Sequence, residues 1–149
     1  MMQKHLSSQF DTELNTVSAR VMELGGLVES QIGHAIRALS QFSLEAVETV
    51  ATLETRVNAL EVDIDRELST IIARRQPTAR DLRLLMAFSK ATANLERMGD
   101  EASKMARMVR SIIETGAPRN LPTTDLRVAA DLASGLLHKA LDAFARLDT

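Results

Sequence analysis

Leu60-Glu-Val-Asp-Ile-Asp-Arg-Glu-Leu-Ser-Thr-Ile-Ile-Ala-Arg-Arg-Gln-Pro-Thr-Ala-Arg-Asp-Leu-Arg-Leu-Leu-Met-Ala-Phe88 is the stretch on which the fold turns. Up to Arg75 its apolar residues recur at Leu60, Ile64, Leu68 and Ile71. Steps of three and four put them on one stripe of a helix. Pro77 then breaks the pattern, because the ring of a proline pushes the residue before it, here Gln76, out of the right-handed helical region. Thr78 and Asp81 follow at the spacing of a capping box, with Asp in place of the usual Glu. The apolar steps resume at Leu84 and Phe88. Two helices joined by so short a turn run antiparallel.

Working outward, the helix before the turn extends back through Val57, Leu53 and Val50 to Ser43, a residue that caps helix starts. The helix after it carries Ala91, Leu95, Met98, Ala102, Met105, Val109 and Ile112, and Gly116 followed by Pro118 is a stop signal. A third stripe precedes both: Phe10, Leu14, Val17, Val21, Leu24, Val28, Ala35, Ala38 and Phe42, with Gln31 as its one polar interruption. Stripes of this kind pack nearly parallel at shallow angles. The spacing therefore predicts an all-α fold, an antiparallel three-helix bundle over residues 1–116, built from helices of roughly 30 to 38 residues and about 45–55 Å in length.

A linker is expected at 117–122, and Pro122-Thr-Thr-Asp125 opens a fourth helix over 123–149. Leu27, Ile32, Ala35, Ile36, Ala38 and Leu39 align at one constant offset with Leu132, Leu137, Ala140, Leu141, Ala143 and Phe144. That repetition makes the fourth helix the first of a second, incomplete copy of the bundle. A lone amphipathic helix does not bury its own stripe, so it is expected to pack on the first bundle or on a second chain.

Composition narrows the function classes. The net charge is −2, which supplies no global field for nucleic acid. There is no cysteine, so disulfides, zinc–thiolate sites and cysteine nucleophiles are excluded. No run of about 18 apolar residues is present, and Met1-Met-Gln-Lys-His-Leu-Ser-Ser8 lacks a signal-peptide core. A cytoplasmic location is the expectation. His5, His34 and His138 show no ligand spacing, and no phosphate-binding glycine loop or nucleophile motif occurs.

The chemistry concentrates in two carboxylate pairs, Glu61 with Asp65 and Glu96 with Asp100. Each is Glu-x-x-x-Asp within a helical pattern, so its members project from one face a turn apart and repel. Both pairs border an apolar stripe and stand at nearly equal distances from Pro77, which brings them to one level on adjacent helices. Bridging by a cation would relieve the repulsion, and all-oxygen donors favour Mg²⁺, Mn²⁺, Ca²⁺ or iron. Alternatively, all four face water as ordinary surface acids. No Glu-x-x-His accompanies them, so the ferritin-like di-iron ligand set is absent. Gly99, beside Asp100, allows a ligand or a neighbouring helix to approach closely. Arg74, Arg75, Arg80 and Arg83 make the turn locally positive, with pairing to Asp81 or to a partner's acids expected.

At these residues the chain resembles the PhoU family of phosphate-transport regulators. The resemblance rests on Arg74-Arg-Gln-Pro-Thr-Ala-Arg-Asp-Leu-Arg83, on Asn94-Leu-Glu-Arg-Met-Gly-Asp-Glu-Ala102 and on Leu60-Glu-Val-Asp-Ile-Asp65. It continues in Gln9-Phe-Asp-Thr-Glu-Leu14, Leu24-Gly-Gly-Leu-Val-Glu29 and Leu141-Asp-Ala-Phe-Ala-Arg-Leu-Asp148. It implies two repeated three-helix bundles, of which this chain, as a truncated member, carries the first and one helix of the second. It also implies metal ions on Glu61, Asp65, Glu96 and Asp100; Asn94 stands where the family often has Asp, one negative charge fewer. By the same resemblance the protein is no enzyme. It would be a negative regulator of the phosphate-starvation response, commonly a homodimer, linking the ATPase subunit of a phosphate ABC transporter to a sensor histidine kinase and reaching the membrane only through them. The alternatives from the residues themselves are a carboxylate-metal enzyme of phosphate chemistry and a plain helical interaction module.

Overall fold

The computed structural model describes residues 2–116 and 123–147, with side chains at 8–116, 128 and 131–142. Four helices follow in order: α1 (Met2–Gln41), α2 (Leu44–Arg75), α3 (Ala79–Thr115) and α4 (Thr123–Leu147). The first three form the antiparallel bundle that the stripes predict. The expected linker 117–122, with Pro118 and Pro122, lies outside the described residues, as do the side chains of His5, Ala143 and Phe144.

Local chemistry accounts for the helix ends. Ser43 Oγ accepts from the Ala46 amide at 3.2 Å and caps α2. Thr78 caps α3: its hydroxyl accepts from the Asp81 amide at 3.5 Å and donates to the Asp81 carboxylate at 3.1 Å. The expected box thus closes through the threonine hydroxyl. Gly116 ends α3 at φ +67°, a left-handed conformation that only glycine adopts without strain. At the α2–α3 turn, Gln76 leaves the right-handed region as Pro77 requires, but it enters the left-handed one (φ 42°, ψ 63°) instead of the extended region usual before proline.

The core has two parts. The larger joins Val17, Val21, Leu24 and Val28 of α1 with Val57, Ile64, Leu68 and Ile71 of α2 and Leu85, Phe88 and Leu95 of α3. The smaller, at the other end, is rich in small residues: Ala35, Ala38, Ala46, Val47, Val50, Ala102, Ala106 and Val109. Gln31 lies between Val28 of one and Ala35 of the other, fully buried. Its Nε2 donates to Glu54 Oε2 at 2.6 Å and to Ser103 Oγ at 3.3 Å. Ser103 in turn donates to Glu54 Oε2 at 2.8 Å. The one polar interruption of the α1 stripe is therefore the centre of a polar layer that ties all three helices.

Ion pairs fasten α1 to α2 along the bundle. Arg20 Nη1 reaches Glu67 Oε2 at 2.7 Å. Arg75 donates to both carboxylate oxygens of Glu13, at 2.9 and 3.4 Å, and to Gln9 Oε1 at 3.3 Å.

Of the two resting places expected for α4, the first bundle is the one observed, and α4 packs on α1. Leu137 and Leu141 are buried there, with Leu141 seated over Gly25, where a Cβ would strike its side chain. His138 Nδ1 stands 3.3 Å from Glu29 Oε1. A second line on α4 (Val128, Leu132 and Leu136) remains 55–68% exposed.

Candidate functional site

Helix α2 carries Glu54, Glu61 and Asp65 at steps of seven and four, which is one face. Helix α3 carries Glu96, Asp100, Ser103, Arg107 and Arg110 at steps of three and four, again one face. The bond between Ser103 and Glu54 fixes the register of these two faces against each other. Moving seven residues along α2 and back seven along the antiparallel α3 reaches Glu61 and Glu96, which therefore share a level, as their distances from Pro77 predict. The result is one polar seam between α2 and α3.

Glu61 is the electrostatic centre of this seam. Its pKa is raised above the ordinary 4.5, first by burial and then by the charges of Glu96, Asp65 and Glu54. Those causes show which acids meet: Glu61, Asp65 and Glu96 as the sequence predicts, and Glu54 in addition. Asp100, the fourth predicted acid, is on the same face, but its nearest charged partner is the Lys104 ammonium at 3.9 Å; Lys104 also lies 3.2 Å from Glu101. Among the described residues, no three of His, Asp and Glu converge closely enough to hold an ion in this arrangement. Glu61, Glu96 and Asp100 are half-buried and Asp65 is exposed, so they border the seam as expected.

Glu54 escaped the reading of the sequence because it has no i,i+4 acidic partner; the available signal was its heptad step to Glu61. Gly99 has a packing role. A Cβ there would lie 2.6 Å from Gln31 Oε1, so the glycine makes room for the buried amide. At the turn, the expected pairing of arginines with Asp81 does not form. Asp81 is held by Thr78, Arg83 donates to its own helix at Ala79 O, and Arg75 pairs with Glu13. Among the described residues Arg74 and Arg80 have no ion pair, and no helix is long and apolar enough to cross a membrane.

The comparisons with known proteins agree with one another. The model of the PhoU domain matches residues 21–109, a span containing the whole acidic seam. The phosphate-specific transport system accessory protein PhoU homolog of Burkholderia sp. is 48% identical over 150 residues, covering 100% of this chain and 64% of that protein. The homolog from Pseudomonas aeruginosa is 41% identical over 145 residues, and the PhoU protein of Escherichia coli 41% identical over 146; each match covers 97% of this chain and 59% of the relative. The chain thus spans about three fifths of the length of these curated relatives. The crystal structure of PhoU from Pseudomonas aeruginosa superposes with a TM-score of 0.88 at 38% identity, covering 93% of this chain and 66% of that one.

Proposed function

This chain belongs to the PhoU family, and on that premise we propose that it is a non-enzymatic, cytoplasmic regulator of phosphate uptake and of the phosphate-starvation response. Its relatives are named as accessory proteins of the phosphate-specific transport system. In this reading it docks on the ATPase subunit of the phosphate ABC transporter and on a sensor histidine kinase, as a homodimer, and lowers the starvation response when phosphate is plentiful.

The observation that carries the reading is the repulsive carboxylate seam across α2 and α3, within the span that matches the family. A seam of like charges on rigid helices suits a surface whose state is to be set from outside. The donor chemistry fits a hard cation: all are carboxylate oxygens, and Glu61 resists ionisation first because it is partly buried and then because its neighbours are charged. Glu61, Asp65 and Glu96 would hold such an ion, with Asp100 joining on release from Lys104. A bound cation supplies charge neutralisation and a cross-link between α2 and α3. The chain's own residues do the rest: Gln31, Glu54 and Ser103 hold the register of the seam, and Arg20 and Arg75 hold α2 on α1.

The test is binding of the purified chain to the isolated ATPase subunit and to the cytoplasmic part of the kinase, with and without Mn²⁺. The reading expects complexes with both, strengthened by the ion in the parent protein and indifferent to it in Glu96→Gln. Failure to bind either partner overturns the adaptor role. Phosphatase turnover with Mn²⁺ that is lost in Glu96→Gln overturns the non-enzymatic assignment.

A further inference from the structure

Beyond the acids, the α2–α3 seam ends in a cleft of about 260 Å³ that the carboxylate reading does not use. Its polar lining is Glu54, Ser103, Arg107 and Arg110, and its apolar walls include Val47 and Ala106. Arg110 lines this cleft, and its Nε is buried beneath the surface with no hydrogen-bond partner among the described residues. Among the described residues neither Arg107 nor Arg110 has an ion pair. A buried guanidinium N–H without an acceptor is an unusual expense, because its lost hydration is not replaced.

The nearby carboxylate does not fill the role. Glu54 Oε2 already accepts from Gln31 Nε2 and Ser103 Oγ, and these bonds hold it towards the bundle interior. The cleft is left with two guanidinium groups against one carboxylate, a net positive charge, with a hydroxyl at its edge. Planar N–H forks recognise tetrahedral oxyanions; the Ser103 hydroxyl, whose one hydrogen goes to Glu54, only lines the rim.

We propose that this cleft is a binding site for a small free oxyanion of the phosphate class, held by Arg110 and Arg107 with Ser103 at its rim. The seam is then bipolar, an anion site at its arginine end beside a cation-seeking acidic centre. Glu54 lies at the junction. It lines the anion cleft and is also one of the charges that raise Glu61. Anion in the cleft and charge on the acids therefore act on the same side chain.

The probe is inorganic phosphate, titrated into the whole chain by calorimetry in a buffer containing a chelator, so that the result is independent of any metal on the acids. Saturable binding at one site per chain is expected. Arg110→Gln and Arg107→Gln should each weaken it about tenfold, the loss of one charge-assisted interaction. Arg110→Lys keeps the charge but lacks Nε, and should also bind more weakly than the parent. Glu54→Gln can still accept from Gln31 and Ser103 but removes the opposing charge, so it should tighten binding. Arg83→Gln, at the opposite end of α3, should change nothing. Thermal melting of each variant separates loss of the site from loss of the fold, and Glu54→Gln keeps the proposal testable if an arginine variant unfolds. Absence of saturable binding, equal binding in Arg110→Gln, or weaker binding in a folded Glu54→Gln would each overturn it. A phosphoserine peptide that binds more tightly than inorganic phosphate would overturn the assignment to a free ion.

Discussion

Gly99 on α3 lies directly against the buried side chain of Gln31 on α1. A Cβ at Gly99 would stand 2.6 Å from Gln31 Oε1 and 3.6 Å from Val28 Cγ2. The oxygen belongs to a flexible side chain, but it is not free to move, because Nε2 is bonded to Glu54 and Ser103. Two effects of Gly99→Ala oppose each other. Alanine in mid-helix gains about 1 kcal/mol over glycine, whereas displacing a buried amide from its partners costs about 1–3 kcal/mol. The expected net result is destabilisation by roughly 1 kcal/mol in urea unfolding. In a Gln31→Ala background the obstacle is gone, so Gly99→Ala should there become stabilising. A double-mutant cycle reads this change of sign directly; additive effects would refute the coupling.

Gly25 and Leu141 present the same geometry at the α1–α4 contact, with a different consequence. A Cβ at Gly25 would overlap the leucine side chain. Since, among the described residues, α4 rests on α1 and makes no contact with α2 or α3, the clash should displace α4 and leave the three-helix bundle folded. Gly25→Val is expected to raise amide exchange throughout 131–142 by an order of magnitude or more while protection in α2 and α3 is kept. Equal loss of protection in all four helices would show that α4 is integral to the bundle.

These two glycines also mark where the sequence stops being legible. The stripes on α1, α2 and α3, and the caps at Ser43, Thr78 and Gly116, depend on residues three or four apart, so periodicity and local hydrogen bonding expose them. Gly25 and Gly99 owe their roles to side chains on another helix, and no spacing along the chain reports that. Glu54 was hidden for the same reason. Its place in the site depends on cross-helix register, whereas the i,i+4 pairs Glu61/Asp65 and Glu96/Asp100 announce themselves. Gln76 shows the other limit: the pre-proline preference for extended backbone is only a bias, and this turn takes the left-handed conformation instead.

Glu61 makes stability depend on pH in an uncommon direction. Its folded pKa lies above 4.5, so the native state binds its proton more tightly than the unfolded chain does. The contribution of this group is therefore favourable below the ordinary glutamate pKa and is lost as pH rises through the raised value. Glu61→Gln removes the charge that is resisted. It is expected to stabilise the metal-free protein at pH 7 by about 0.5 kcal/mol, the scale of like-charge repulsion near a helix surface. The advantage should disappear at pH 3.5. Thermal melts of parent and variant in chelator at the two pH values test this, and a variant less stable than the parent at pH 7 would contradict the repulsive account of the seam.

Lys104 provides the last test, because it separates a seam that merely repels from one that takes a cation. Its ammonium is 3.9 Å from Asp100 and so occupies the acid that would otherwise complete the set. Lys104 is exposed, and its pairs with Asp100 and Glu101 are surface contacts worth at most about 1 kcal/mol to stability. Lys104→Ala should therefore melt close to the parent in the absence of metal. If Asp100 serves as a ligand together with Glu61, Asp65 and Glu96, removing the competing ammonium should tighten Mn²⁺ binding several-fold. Asp65→Asn and Glu96→Gln should weaken it by tenfold or more, since each deletes one anionic oxygen donor. Saturating Mn²⁺ should also cancel the advantage of Glu61→Gln at pH 7, because the ion relieves in the parent the repulsion that the substitution abolishes. Mn²⁺ binding that is unaffected by all of these changes would place any ion elsewhere on the molecule and leave the acids as a solvated, mutually repelling face.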